Sequence, residues 1–419
     1  MTLRLEVNMK AKSIPLLPSN SISFFHIFTA FLLISIFSIE SAHAIPAFAR
    51  RHKISCVTCH IGFPMLNGFG EMFAGNGYQL PGADLSDQLV DTGDEELMLL
   101  NHMPLAIRVD TFFRSRSDTK TSNDFQAPFS LKILSSAPIK KDISYYFYFF
   151  VDERGDITGI EDAFIYFNDG YKDVDLDMRI GQFQASDILF PREQRLTFQD
   201  FTYYTTAVSN SNFRLTYDRI VEVSYSFELT DSIEMAVVGA VANGNGIGVA
   251  DSDRNFDSDE FKNFYAKMSL DFGGDSIGLY GYSGREQNTS NTRNEFFRIG
   301  PDFNFTIADT FNLWGNILYG EDSNATFASS GDLGKIESWG GFIGVTYPFM
   351  DNWIASLLYN RVKVYGKQPL DANTLTVNFS YWLARNFKLM AEATADLEGT
   401  SPGRSEKTHT GVLGIVLAY

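Results

Sequence analysis

Cysteine is nearly missing from this chain: 419 residues hold two. Two cysteines cannot staple a secreted miniprotein, which needs several cross-links in place of a core. Proline is sparse at 13 residues and charged residues make up only 20%, which excludes a collagen and a disordered tail. Positive charge is short, 34 Lys and Arg against 51 Asp and Glu, for a net charge of −17. Nucleic acid is therefore not an expected partner, since phosphate binding needs a basic face, and cations are the more natural guests. No stretch after residue 40 approaches the roughly 18 consecutive apolar residues of a membrane-spanning helix.

What the chain does have is aromatic. Phe (38) and Tyr (19) lift the aromatic share to 15%, yet mean hydropathy is only −0.10, so the apolar residues must be dispersed among polar ones. Only the leader concentrates them. Lys10 and Lys12 precede a low-polarity stretch over 24–39, and Ala42-His43-Ala44 follows as a small-x-small cleavage site. That order is the pattern of a secretory signal peptide, expected over 1–44. Losing a leader of net charge +1 takes the exported chain to −18.

From 104 to 419 one theme repeats: segments of alternating polarity, each followed by a turn. Val174-Asp175-Leu176-Asp177-Met178-Arg179-Ile180 separates apolar from charged residues at period two, and 264–272 does the same. A single such strand fits either a lipid-facing barrel wall or a half-exposed soluble sheet. The count decides between them: sixteen segments can be read, the first at 104–116 and the last at 408–419, and bacterial outer-membrane barrels take even numbers. Tight links such as Gly273-Gly274 and Met350-Asp351 alternate with longer ones, longest at 186–214, 245–262 and 321–335. Short turns on one rim and long loops on the other predict an all-β outer-membrane antiparallel β-barrel of about 16 strands with both termini periplasmic. In the closing strand Leu413, Ile415, Leu417 and Tyr419 share one face, similar to the signal by which barrel proteins are recognised for assembly.

Residues 45–103 break the pattern. They lack period-two strands, hold both cysteines and include an acidic connector over 91–96. Here stands Cys56-Val57-Thr58-Cys59-His60, the attachment spacing of a single c-type haem: two thiols three apart add to the haem vinyl groups, and the adjacent imidazole reaches the iron. Two other readings compete. A redox dithiol normally sits on a βαβ scaffold, which is lacking, and a disulfide across so short a loop would stabilise little. Cys56 and Cys59 are thus expected to bind haem c covalently, with His60 as an axial iron ligand. Candidates for the second axial position are His52, Met65, Met72, Met98, His102 and Met103. His102 or Met103 is placed to fold back over the haem from the junction with the first strand. A His or Met there would suit electron transfer, since no substrate site stays open.

Two loops need weighing. Residues 251–260 begin like a calcium loop, but Phe256 replaces the needed Gly and Lys262 the final Glu, so the segment reads as a solvated extracellular loop. The connection bearing Arg192 and Arg195 is also read as solvated, with folding into the lumen as the alternative.

Together these residues carry a resemblance. Ile45-Pro46-Ala47-Phe48-Ala49-Arg50, the haem motif, Phe63-Pro64-Met65-Leu66-Asn67-Gly68-Phe69-Gly70 and Gly75-Asn76-Gly77-Tyr78 resemble the N-terminal domain of the fused monohaem cytochrome–porins of the outer membrane, the iron-oxidase type. The barrel matches that family in architecture only. The resemblance implies a haem domain that plugs or caps the barrel from the periplasmic side. It would take electrons from extracellular Fe(II) and pass them to a soluble periplasmic cytochrome or other carrier. A diffusion porin with a haem-containing plug, and an outward conduit to ferric minerals, remain the alternatives.

Overall fold

The alternation read above places polar side chains on one face of each strand and apolar ones on the other. The computed structural model describes residues 47–419 apart from 81, 83–88, 95, 118–122, 170–173, 245, 258, 289, 309, 329–333, 367–369 and 399–406; the expected leader over 1–44 lies outside the described residues. Small elements come first: α1 (Ala47–His52), β1 (His60–Gly62), β2 (Met65–Leu66) and α2 (Gly68–Gly75). The wall follows as β3 (Leu105–Arg116), β4 (Asn123–Lys140), β5 (Ile143–Glu153), β6 (Gly159–Phe167), β7 (Leu176–Gln184), β8 (Tyr217–Thr230), β9 (Ile233–Ala242) and β10 (Asn263–Asp271). It continues through β11 (Ser276–Gln287), β12 (Arg293–Ile307), β13 (Phe311–Asp322), β14 (Ile336–Met350), β15 (Trp353–Val364), β16 (Leu370–Ala384), β17 (Phe387–Asp396) and β18 (Thr410–Ala418).

All sixteen wall strands expected from the sequence are present. Each pairs antiparallel with its chain neighbours, and β18 pairs with β3, with Val416 opposite Asp110, so the barrel closes and leaves no sheet edge. The wall is inverted relative to a soluble protein. On β16, Thr376, Asn378 and Ser380 are fully buried while Val377 and Phe379 between them are exposed; on β8, Glu222 is buried between exposed Val221 and Val223. Such a surface is stable only against hydrocarbon, with the polar side chains turned into the lumen. Among the described residues no helix is long and apolar enough to cross a membrane; the strands do the crossing.

Short turns such as 141–142, 231–232, 351–352 and 385–386 gather on the rim that also carries both ends of the barrel, and the long connections gather on the opposite rim. One long connection departs from the expectation. The segment between β7 and β8, read from the sequence as solvated, folds into the lumen. Leu189, Phe201, Tyr204 and Phe213 are buried there against Trp314, Leu318 and Phe342 of the wall. Phe201 stacks on Phe342 at 4.1 Å between ring centres, and the four-residue helix α3 (Thr202–Thr205) carries Tyr203 and Tyr204 inward. The physical reason is burial of an aromatic-rich segment with its backbone satisfied. Glu392 accepts from the Phe198 and Gln199 N–H groups at 2.7 and 2.8 Å, and Asn360 accepts from Thr202 N at 3.1 Å.

Charge fixes the tip of this inward loop. Glu193 accepts from Lys132 Nζ at 2.8 Å and lies 3.7 Å from the Arg108 guanidinium. Burial alone would raise its pKa, but Lys132 and Arg108 outweigh that and hold the carboxyl well below the usual carboxylate range. A depressed folded-state pKa contributes stability that is present above the unfolded value, about 4.3, and is lost only as pH falls through the lower folded value. The loop should therefore stay docked from pH 7 through pH 4. Glu193→Gln should cost about 2 kcal/mol at neutral pH, a difference that closes only in strong acid. Thermal melts of the two proteins across that range check it.

Candidate functional site

The segment from Ala47 to Tyr78 is short for its own core and builds one around aromatic contacts. Phe48 meets Phe73 edge-on at 5.3 Å and stacks on Tyr78 at 5.3 Å, and Tyr78 stacks in turn on Tyr146 of β5 at 5.0 Å. Between α1 and β1 a 3-10 turn spans Cys56–Thr58, closed by bonds from Thr58 N to Ser55 O at 3.0 Å and from Cys59 N to Cys56 O at 3.2 Å. Asn67 ties this turn to α2. Its Oδ1 accepts from Gly70 N at 2.9 Å as the helix cap, and its Nδ2 donates to Thr58 O at 3.1 Å. Gly70 permits the approach, since a Cβ there would lie 2.1 Å from the Cys59 carbonyl oxygen.

Asn67 therefore has two tasks that alanine cannot perform. Asn67→Ala should destabilise the segment by about 1–2 kcal/mol and raise proteolysis within 47–80 while leaving the barrel's heat-modifiable gel shift unchanged.

The turn brings Cys56, Cys59 and His60 to the wall of one cavity, lined otherwise largely by apolar side chains including Phe48, Ile54, Leu66, Phe73 and, from the barrel, Leu134. Both cysteines are free thiols and partly buried. Burial pushes both thiols up, whereas a redox dithiol needs a lowered pKa. Burial pushes His60 down to about 4, so the imidazole is neutral at ordinary pH. Its Nδ1 lies 3.2 Å from the Pro64 carbonyl; donation there fixes the tautomer and leaves the Nε2 lone pair for a metal. Two free thiols and an oriented neutral imidazole in an apolar cavity are a donor set that fits haem c.

The second axial candidates fall elsewhere. His102 and Met103 are exposed in the segment entering β3, and neither lines the cavity. Met72 is exposed, and Met65 Sδ accepts from Thr346 Oγ1 of β14 at 3.8 Å. His52 packs edge-on against Phe73 at 5.5 Å, with its Nε2 buried and without a hydrogen-bond partner among the described residues.

The whole segment sits in the mouth of the barrel at the short-turn rim. Trp382 Nε1 of β16 donates to Phe63 O at 3.3 Å, Asn168 Nδ2 donates to Asn76 Oδ1 at 2.6 Å, and Tyr166 OH donates to Gly75 O. Arg50 donates to Leu105 O, and the Arg108 guanidinium lies over the Phe63 ring at 5.7 Å. Arg108 and Glu193 have a double position: they line this cavity and also a larger one in the lumen. No pattern in the sequence marks that shared wall.

No protein-family model matches the chain, and no curated protein matches it in sequence. Solved structures do match in fold. An anion-selective porin from Comamonas acidovorans is 14% identical with a TM-score of 0.54, over 76% of this chain and 99% of its own. The outer membrane channel DcaP of Acinetobacter baumannii is 15% identical with a TM-score of 0.53, over 75% and 96%. The shared feature is the closed porin-type barrel.

Proposed function

We propose that this protein is a monohaem cytochrome c built into an outer-membrane porin-type barrel, and that it moves electrons across the outer membrane. Extracellular Fe(II) is the donor and a soluble periplasmic electron carrier the acceptor, with both chain termini on the periplasmic side. The observation that carries this reading is the convergence of Cys56, Cys59 and His60 in one apolar cavity wedged into the barrel mouth. Cys56 and Cys59 would hold the haem and His60 would ligate its iron, supplying a one-electron couple suited to iron. Lodging the cavity inside the mouth also shortens the path. Tunnelling falls off steeply with distance, and a hydrocarbon core of about 30 Å is too thick to cross in one step.

The chain's residues do the rest of the work. Phe48, Leu66, Phe73 and Tyr146 exclude water from the cavity, and the Pro64 carbonyl orients His60. The net charge of −17 concentrates dications near the protein. Anaerobic Fe(II) added to the purified, oxidised full-length protein should produce the reduced haem absorption bands at near-neutral pH. No reduction by Fe(II) in a sample that dithionite does reduce would overturn iron oxidation.

A further inference from the structure

The lumen holds a second cavity of about 670 Å³, bounded by β3, β4, β17 and the inward loop, a size typical of small-molecule sites. Its lining runs from Arg114 and Asp124 near the long-loop rim down to Arg108 and Lys388 beside the plugged mouth. It therefore ends against the Arg108 and Glu193 wall that also bounds the cysteine cavity.

Most cations here are matched. Arg108 bonds Asp110 at 2.8 Å, Lys132 bonds Glu193 at 2.8 Å, and Arg192 grips Asp200. Two are not. Lys388 is only 2% exposed, and its Nζ donates to the Leu196 carbonyl at 3.2 Å with no carboxylate within 4 Å among the described residues. Arg195, the residue before Leu196, donates from Nη1 to the Arg192 carbonyl but has a buried Nε without a hydrogen-bond partner among the described residues. Its nearest carboxylate, Asp200 at 3.9 Å, is already held by Arg192. The carbonyl that Lys388 binds thus brings two under-neutralised cations together at the closed end of the cavity. Buried cations without counter-ions are costly, and an arriving anion offsets that cost. An arginine fork with a free Nε suits a planar carboxylate.

We propose that the closed end of the lumen is a binding site for a small carboxylate-bearing anion held by Lys388 and Arg195. The anion is either the free carboxylate or its chelate of Fe(II). The site itself does not depend on haem; delivery of chelated iron to the Arg108 and Glu193 wall rests on the function proposed above.

The test uses the full-length, haem-loaded protein in detergent with citrate as the probe. Calorimetric titration in chloride-free buffer should give saturable citrate binding, weakened about tenfold or more by Lys388→Gln and by Arg195→Gln. Arg195 is on the loop and not in the wall, so its variant leaves barrel closure intact even if the Lys388 variant does not fold. Absence of saturable binding, or equal affinity in Arg195→Gln, overturns the site. In the second arm, Fe(II) and Fe(II)–citrate are compared as reductants of the haem. A faster reaction with the chelate that Arg195→Gln abolishes supports iron delivery; a chelate advantage equal in both proteins overturns it and leaves the free carboxylate. Failure of both reductants, with the citrate isotherm intact, sinks the proposed function and not the site.

Discussion

The full-length protein should show haem-dependent peroxidase staining on a denaturing gel; replacing Cys56 or Cys59 with alanine should remove most of it, and replacing both should remove all of it. The reason is bond type. A thioether survives denaturation and an axial ligand does not, so covalent attachment through the chain's only two cysteines is what such a gel reads. His60→Ala should act differently, leaving the stain and changing the visible spectrum, because in the proposed attachment the imidazole would touch iron and not the vinyl groups. The exposed positions of His102 and Met103 lead to a further expectation: His102→Ala and Met103→Ala should leave the spectrum unchanged. Staining that persists in the double cysteine variant would remove covalent haem from the account.

The second large effect is expected at the inward loop. Phe201 is 2% exposed, stacks on Phe342 at 4.1 Å and meets Trp314 edge-on at 5.7 Å. Truncation to alanine should cost about 3–5 kcal/mol, and that loss falls on the docking of the loop, since the wall strands keep their own hydrogen bonds. In the wild type, protease added from the long-loop side should spare 186–214 and cut within 246–262. Phe201→Ala should open 186–214 to cleavage and raise ion conductance in planar bilayers. A variant whose loop stays resistant would show that the polar ties to Glu392 and Asn360 hold it without the aromatic anchor.

The barrel was legible because its logic is local. Alternation, turn residues and connection length are each visible within a dozen positions, and together they fix strand number and rim assignment. That Cys56, Cys59 and His60 line one cavity was equally legible, since they stand within five positions of one another. Asn67 and Gly70 stood in plain view in the quoted segment, but only folding shows that one caps α2 while bonding the Thr58 carbonyl and that the other clears room for Cys59. The inward loop could have been read. Phe190, Leu196, Phe198, Phe201, Tyr203, Tyr204 and Phe213 crowd one connection, and a solvated loop has no use for them. The meeting of Arg108 with Glu193 had no such signal, because closure of the barrel and entry of the loop together create it.

The fit of plug to mouth also sets which plug the barrel accepts. At Gly62 a Cβ would stand 2.6 Å from the Trp382 ring and 2.7 Å from Ile354, so only glycine fits there without moving the wall. A plug whose residue 62 carried any larger side chain would have to shift Trp382 or Ile354 to seat, so the match works as a keyway that admits this segment and refuses a near-copy.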